Sequence, residues 1–254
     1  MLTIEFRRFP LDEGMVALDA GCGQGRHSLE LLRRRCPVIA LDLNGDDLSH
    51  TRFLLTALAK DGAVAEGPAQ TQRTGRRSGF LTLRGNTLAL PFRAARFDRI
   101  ICSEVLEHVT DPAQAVSELG RVLKPGGLLA VSVPTPFTER AYRFASDDYF
   151  NTPGGHVRIF SPHSLTALLT AEHLRVLDLT FAHAFHSVYW WLRCVFGLHA
   201  ERHPVILLMK KVLTYRMFSP QLGRAEEVLD FVIPKSMVIY ARKEAAPPWK
   251  RNGA

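Results

Sequence analysis

Short apolar runs alternate along this chain with segments whose apolar residues recur every three or four positions. Met15–Ala20, Pro37–Leu43 (PVIALDL), Phe97–Ser103 (FDRIICS) and Leu128–Val133 are nearly continuous in apolar character. Runs of this kind suit parallel strands buried on both faces, and Phe80–Gly85 and Val176–Phe181 add two more strands. Between them, Arg26–Arg35 reads as a helix with Leu29 and Leu32 on one face. Asp46 or Asp47 is expected to cap a second helix carrying Leu48, Leu55 and Leu58. Asp111-Pro112 starts a third, with Gln114 completing a capping-box-like pattern and Val116, Leu119, Val122 and Leu123 as the buried stripe. Lys124-Pro125-Gly126-Gly127 is expected to stop it. Ser161-Pro162 opens a fourth, with Leu165, Leu168 and Leu169 turned inward. The alternation implies an α/β fold, a doubly wound parallel sheet with helices on both faces.

Three stretches depart from the pattern. Residues 61–79 are rich in Gly, Pro, Thr and Arg and read as a variable surface loop. Residues 183–234 form an aromatic-rich excursion before the last strand, Ser236–Lys243 (SMVIYARK), and read as a helical insertion within a single domain spanning 1–254. Residues 245–254 read as a frayed tail.

Composition narrows the class. The chain has 254 residues, 46% hydrophobic, with a formal charge of +7. This is a globular proportion, and the basic balance by itself selects no partner. Cys22, Cys36, Cys102 and Cys194 form no CxxC pair, which argues against a structural zinc site or a disulfide framework. The N-terminus lacks the apolar core of a secretory signal, and no apolar run reaches the ~18 residues of a membrane span. A cytoplasmic protein is expected.

The candidate chemistry begins after the first strand, in Asp19-Ala20-Gly21-Cys22-Gly23-Gln24-Gly25. A strand, a glycine-dense turn and a helix start form a cradle for an anionic cofactor group. A dinucleotide fingerprint wants G-x-G-x-x-G/A, and Arg26 stands at its third position. Asp42 ends the second strand about twenty residues after the turn, where a carboxylate accepts ribose hydroxyls. Farther on stand Gly85-Asn86-Thr87, then FDRIICSEVLEHV and LKPGGLLAVSVP.

In this order and spacing, these segments resemble the class I S-adenosylmethionine-dependent methyltransferases of small molecules, those with an E-V-L-E-H segment after strand four. The resemblance covers about Met15–Phe181 and the final strand. It implies a Rossmann-like seven-stranded sheet with SMVIYARK antiparallel between the fifth and sixth strands, and S-adenosylmethionine as co-substrate. Asp19, Gly21, Cys22, Gly23 and Gly25 would hold its methionine part, Asp42 the ribose, and Leu43 the adenine face. Asn86, where the family usually has an acidic residue, would accept the adenine amino group next to Thr87. Ser103 would lie beside the sulfonium.

His108, with Glu107, is the candidate general base for an acceptor whose proton must leave, and His156 is a second candidate. Packing of the loop is the alternative role for each. Glu104, Glu107 and His108 would share one face if their segment were helical. This looks like the E-x-x-E-H segment that serves a divalent metal in ubiquinone-biosynthesis O-methyltransferases, although no metal is expected here. Because the first strand follows so soon after Met1, the lid over the cofactor is expected from the insertion. Its Tyr189-Trp190-Trp191 and Val205–Met209 with Lys210 and Lys211 suggest a hydrophobic acceptor such as a lipid, quinone or polyketide-like intermediate, or peripheral contact with a membrane. The bland alternative is that these residues only pack the lid. A nucleic-acid methyltransferase is a rival supported by Arg73, Arg76 and Arg77. Strand four ends in SEVL, however, and not in the N/D-P-P-Y segment used on bases. A non-catalytic cofactor-binding scaffold is the rival from outside the enzymes.

Overall fold

A computed structural model describes residues 2–60, 79–146, 155–197 and 199–244. The arginine loop (61–78) and the tail (245–254) lie outside the described residues.

The sheet begins with β1 (Ala17–Ala20), β2 (Val38–Asp42), β3 (Phe80–Arg84), β4 (Phe97–Ser103) and β5 (Leu123–Pro134). It is completed by β6 (Leu174–Ala182) and β7 (Ser236–Lys243), in the order β3-β2-β1-β4-β5-β7-β6. β7 runs antiparallel to both β5 and β6, while the other pairings are parallel. Successive strand residues feed two separate cores. Leu18, Ile100, Cys102, Leu129, Val131 and Ile239 face one, and Ala17, Ile101, Leu128, Ala130 and Val238 face the other. α1 (Arg26–Arg33) and α2 (Gly45–Leu58) close the second core through Leu31, Leu32, Leu48 and Leu55. α3 (Pro112–Val122) and α5 (Pro162–Ala171) close the first through Val116, Leu119, Leu165 and Leu169. Strands buried on both sides explain why their sequences are apolar throughout.

Local signals were read correctly where the cap was the nearest polar residue. Asp111 accepts from Gln114 N at 3.0 Å, and Ser161 and Ser164 form a reciprocal capping box. The Gln114 side chain does not return to Asp111 but donates to Leu88 O. α2 corrects an expectation. Its cap is Asn44, whose Oδ1 accepts from Asp46 N and Asp47 N, and the two aspartates occupy the first turn. Likewise, α3 ends at Val122 and Lys124–Gly127 already belongs to β5, because Leu123 pairs with Phe97 before the register shifts.

Sequence reading did not anticipate α4 (Pro136–Ala145). Its buried residues are Thr138, Glu139 and Tyr142, whereas Phe137 and Phe144 are exposed, so it lacks an apolar stripe. Between β6 and β7 lie α6 (Ala184–Phe196), α7 (Pro204–Arg216) and α8 (Pro220–Leu229). Tyr142 of α4 donates to Ser187 O of α6 at 3.1 Å and anchors the three helices to the end of the sheet. No helix among the described residues is long and apolar enough to cross a membrane.

Candidate active site

β1 lies between β2 and β4, so the strand order reverses there and a crevice opens beyond the carboxyl ends. The cleft has a volume of about 790 Å³, within the range of small-molecule pockets. Its floor is the turn after β1. Gly21 has φ 75°, and a Cβ there would run into the Val105 side chain. At Gly23, φ is 48° and a Cβ would meet nothing within 4 Å, so the missing side chain leaves room for a ligand. Thr51 of α2 holds the turn by donating to Gly23 O at 2.7 Å. Gly25 precedes α1 and offers no side-chain cap, which leaves the first amides of the helix available to an anion.

Asp42 lines the cleft at the end of β2. Its Oδ2 accepts from Gly23 N at 2.8 Å and its Oδ1 from Asn44 N at 2.9 Å. Each oxygen retains a lone pair for a hydroxyl donor. Leu43, 62% exposed, presents an apolar face beside it. Asn86 and Thr87 form the opposite wall, and Asn86 Oδ1 accepts from Leu88 N at 2.9 Å. Cys22 also lines the cleft, with its thiol pushed up by burial. These side chains line one cleft, which offers hydroxyl-accepting carboxylate oxygens, an apolar face and uncapped helix amides together.

Asp19 departs from expectation. It does not line the cleft but sits beneath the turn at 1% exposure, and its Oδ2 accepts from Ser28 Oγ at 2.6 Å. Its Oδ1 is buried without a hydrogen-bond partner, and burial raises its pKa to about 6. Alternation along β1 puts Asp19 on the same face as Ala17, and the Ser28 hydroxyl holds the carboxyl there.

Ser103 reaches the cleft at the end of β4, where its hydroxyl bonds to Ser132 Oγ at 2.8 Å and accepts from Arg26 at 3.1 Å. Arg26, which excluded a dinucleotide fingerprint, thus places a guanidinium on the cleft wall. That charge suits a carboxylate at the methionine end.

The Glu104–His108 segment is a turn, not a helix, and Glu104 has φ 57°. The three acidic and imidazole groups therefore do not share a face. Glu104 turns toward Ser132 and the Lys235 ammonium, 2.9 Å away. Burial opposes its ionisation, but Lys235 outweighs burial and holds the carboxyl below its ordinary value. Glu107 is 1% exposed, with neither oxygen hydrogen-bonded. Burial, and then the charge of Glu104, push its pKa well above the usual carboxylate range. His108 lines the cleft with Nε2 4.0 Å from Glu107 Oε1. His156 packs edge-on against His108 at 4.8 Å between centroids, and its Nδ1 lies 2.7 Å from the buried carboxylate of Glu139. Lys235, Glu139 and Thr51 carried no sequence signal, since each joins the site through the fold from a distant segment.

A doubly wound sheet with one antiparallel strand, a glycine turn and an acidic second-strand end defines an adenosine-cofactor protein of the methyltransferase architecture. A family model described as a methyltransferase domain matches residues 3–179. The chain belongs to that family, and so to the class I S-adenosylmethionine-dependent methyltransferases. A protein of Mycolicibacterium smegmatis (strain ATCC 700084 / mc(2)155), named a probable S-adenosylmethionine-dependent methyltransferase, is 32% identical over 168 residues. That match covers 65% of this chain and 54% of the relative, so the chain spans about half the relative's length. A ubiquinone biosynthesis O-methyltransferase of Coxiella burnetii (strain Dugway 5J108-111) is 29% identical over 67% of this chain and 68% of its own. Among solved structures, a methyltransferase from Methanosarcina mazei superposes with a TM-score of 0.60 at 19% identity, covering 97% of this chain and 100% of the other. That likeness shows the fold.

Proposed function

We propose that this protein moves a methyl group from S-adenosylmethionine to a hydrophobic small molecule, lipid- or quinone-like, and that Glu107 and His108 manage the acceptor's proton. The observation that carries the reading is the single cleft that joins Asp42 and the glycine turn at one end to the Glu104–His108 turn at the other. When bound, S-adenosylmethionine supplies a methyl group already activated by its sulfonium. The protein's share is alignment and exclusion of water. Asp42 would take the ribose hydroxyls, Leu43 and Asn86 the adenine, and Arg26 with the amides of α1 the methionine carboxylate. Asp19 supports the turn from below through Ser28. His108 takes the acceptor's proton on a ring nitrogen. Glu107, whose carboxyl burial makes harder to ionise, stands next to that imidazole and orients it.

Two observations support a hydrophobic acceptor. The Coxiella relative is named for ubiquinone biosynthesis. In α7 only Ile206 is buried, while Val205, Leu207, Leu208 and Tyr215 face outward. Arg202, Lys210 and Lys211 stand on or beside this helix, with Lys210 3.9 Å from Glu201, and a basic, apolar helix face of this kind suits an anionic bilayer surface.

Incubation with methyl-labelled S-adenosylmethionine and a native cell extract, followed by mass spectrometry, should reveal a labelled product in the lipid-soluble fraction. A labelled nucleic acid or a purely polar product would refute the acceptor class. Failure to bind S-adenosylmethionine saturably would refute the whole reading. His108→Ala should lower turnover about 100-fold or more while leaving cofactor binding intact.

A further inference from the structure

We propose that His183, His186 and Glu226 bind a divalent transition-metal ion of the zinc class, which fastens the helical insertion to the edge of the sheet. This goes beyond methyl transfer and does not depend on which acceptor is used. His183 caps α6 where β6 ends, His186 follows three residues later in the first turn, and Glu226 approaches from α8. One donor atom from each lies within 4.8 Å of the other two. Tetrahedral coordination at about 2.1 Å separates ligand atoms by about 3.4 Å, so side-chain rotations of roughly an ångström complete the geometry.

The surroundings favour a metal over an ordinary polar contact. His186 Nδ1 is buried without a hydrogen-bond partner, and Glu226 is 1% exposed. Thr3 Oγ1 lies 3.1 Å from His183 Nε2, which engages that nitrogen and leaves Nδ1 as the ring's other donor. Metal-binding histidines are characteristically held in this way through the second nitrogen. On Glu226, Arg216 pairs with Oε2 and Phe185 N donates to Oε1 at a long 3.3 Å. The carboxylate thus keeps lone-pair capacity on Oε1. An adjoining cleft, about 390 Å³, connects the cluster to solvent. Two imidazoles and one carboxylate suit zinc or cobalt and disfavour calcium and magnesium.

The test is titration of the full-length, chelator-treated protein with Co2+ and Zn2+, following visible absorption, bound metal by mass spectrometry and thermal stability. One ion per chain is expected, with a stability increase that chelator reverses. His186→Ala and Glu226→Gln should each weaken binding about tenfold or more. S-adenosylmethionine binding by both variants would show that they are folded. His156→Ala should bind metal as the wild type does, which separates this cluster from Glu107, His108 and His156, whose donor atoms also lie within 4.8 Å of one another. The proposal fails if the wild type binds no stoichiometric ion. It fails equally if His186→Ala and Glu226→Gln bind normally, or if His156→Ala alone abolishes binding.

Discussion

At the end of the cleft proposed for the cofactor, the lining comes from the residues at or just after a strand end: the glycine turn after β1, Asp42 and Leu43 at β2, Asn86 and Thr87 after β3. At the acceptor end, Glu104 depends on Lys235, 131 positions away, and His156 depends on Glu139, 17 positions away in another element. The first end is made by backbone turns and main-chain amides, whose geometry is dictated locally. The second is made by side chains whose charge and orientation depend on what the fold packs around them. One half of the reaction can thus be held constant while the other varies.

The largest expected effect is at the cofactor end. Asp42→Ala removes the proposed acceptor of the ribose hydroxyls and also leaves Gly23 N and Asn44 N without their partner. Calorimetry should show at least 100-fold weaker S-adenosylmethionine binding, about 3 kcal/mol, the scale of charged hydrogen bonds. A change below threefold would refute the assignment. Gly21→Ala should follow at about 2 kcal/mol of stability, read from urea unfolding. It combines a φ of 75° with a collision against Val105.

Glu107→Gln tests the acceptor end through pH. The folded carboxyl keeps its proton to higher pH than the unfolded one, whose reference value is 4.5. Its stabilising contribution is therefore full below that value and is lost as pH rises. Gln cannot ionise, so the variant should match the wild type near pH 4 and exceed it by about 1–3 kcal/mol at pH 8, while turnover falls. Equal pH profiles would show that Glu107 is not buried next to a charge. The smallest change in stability should come from Leu208→Asp on exposed α7, within about 0.5 kcal/mol of wild type. The same substitution should sharply reduce co-sedimentation with anionic vesicles. If sedimentation is unaltered, α7 is not the membrane contact.

Much of this contrast was legible in advance. The strands of the sheet and the turn after the first followed from apolar runs and turn residues, because buried parallel strands and glycine turns leave local signatures, and Asp42 stood out at the end of the second strand. The cap of α2 was misplaced by two residues because Asn44, Asp46 and Asp47 all have capping chemistry, and only the chain's entry angle selects Asn44. α4 carries a start signal, Thr135 before Pro136, but no apolar stripe, because it buries Thr138, Glu139 and Tyr142 and exposes two phenylalanines. The E-x-x-E-H spacing suggested a shared face that would exist only in a helix, and the positive φ of Glu104 breaks that register.

The amino-acid order alone marked the strands and the glycine turn after β1, since apolar runs and turn residues are local signals, and the order of the motifs, through its resemblance to a known family, pointed to the cofactor. Tertiary structure decided the rest. It drew Asp19 beneath the turn, left Glu107 buried without a hydrogen bond next to the paired Glu104, and brought His183, His186 and Glu226 together. Burial, ion pairing and ligand sharing depend on atoms far along the chain, and no local pattern encodes those distances.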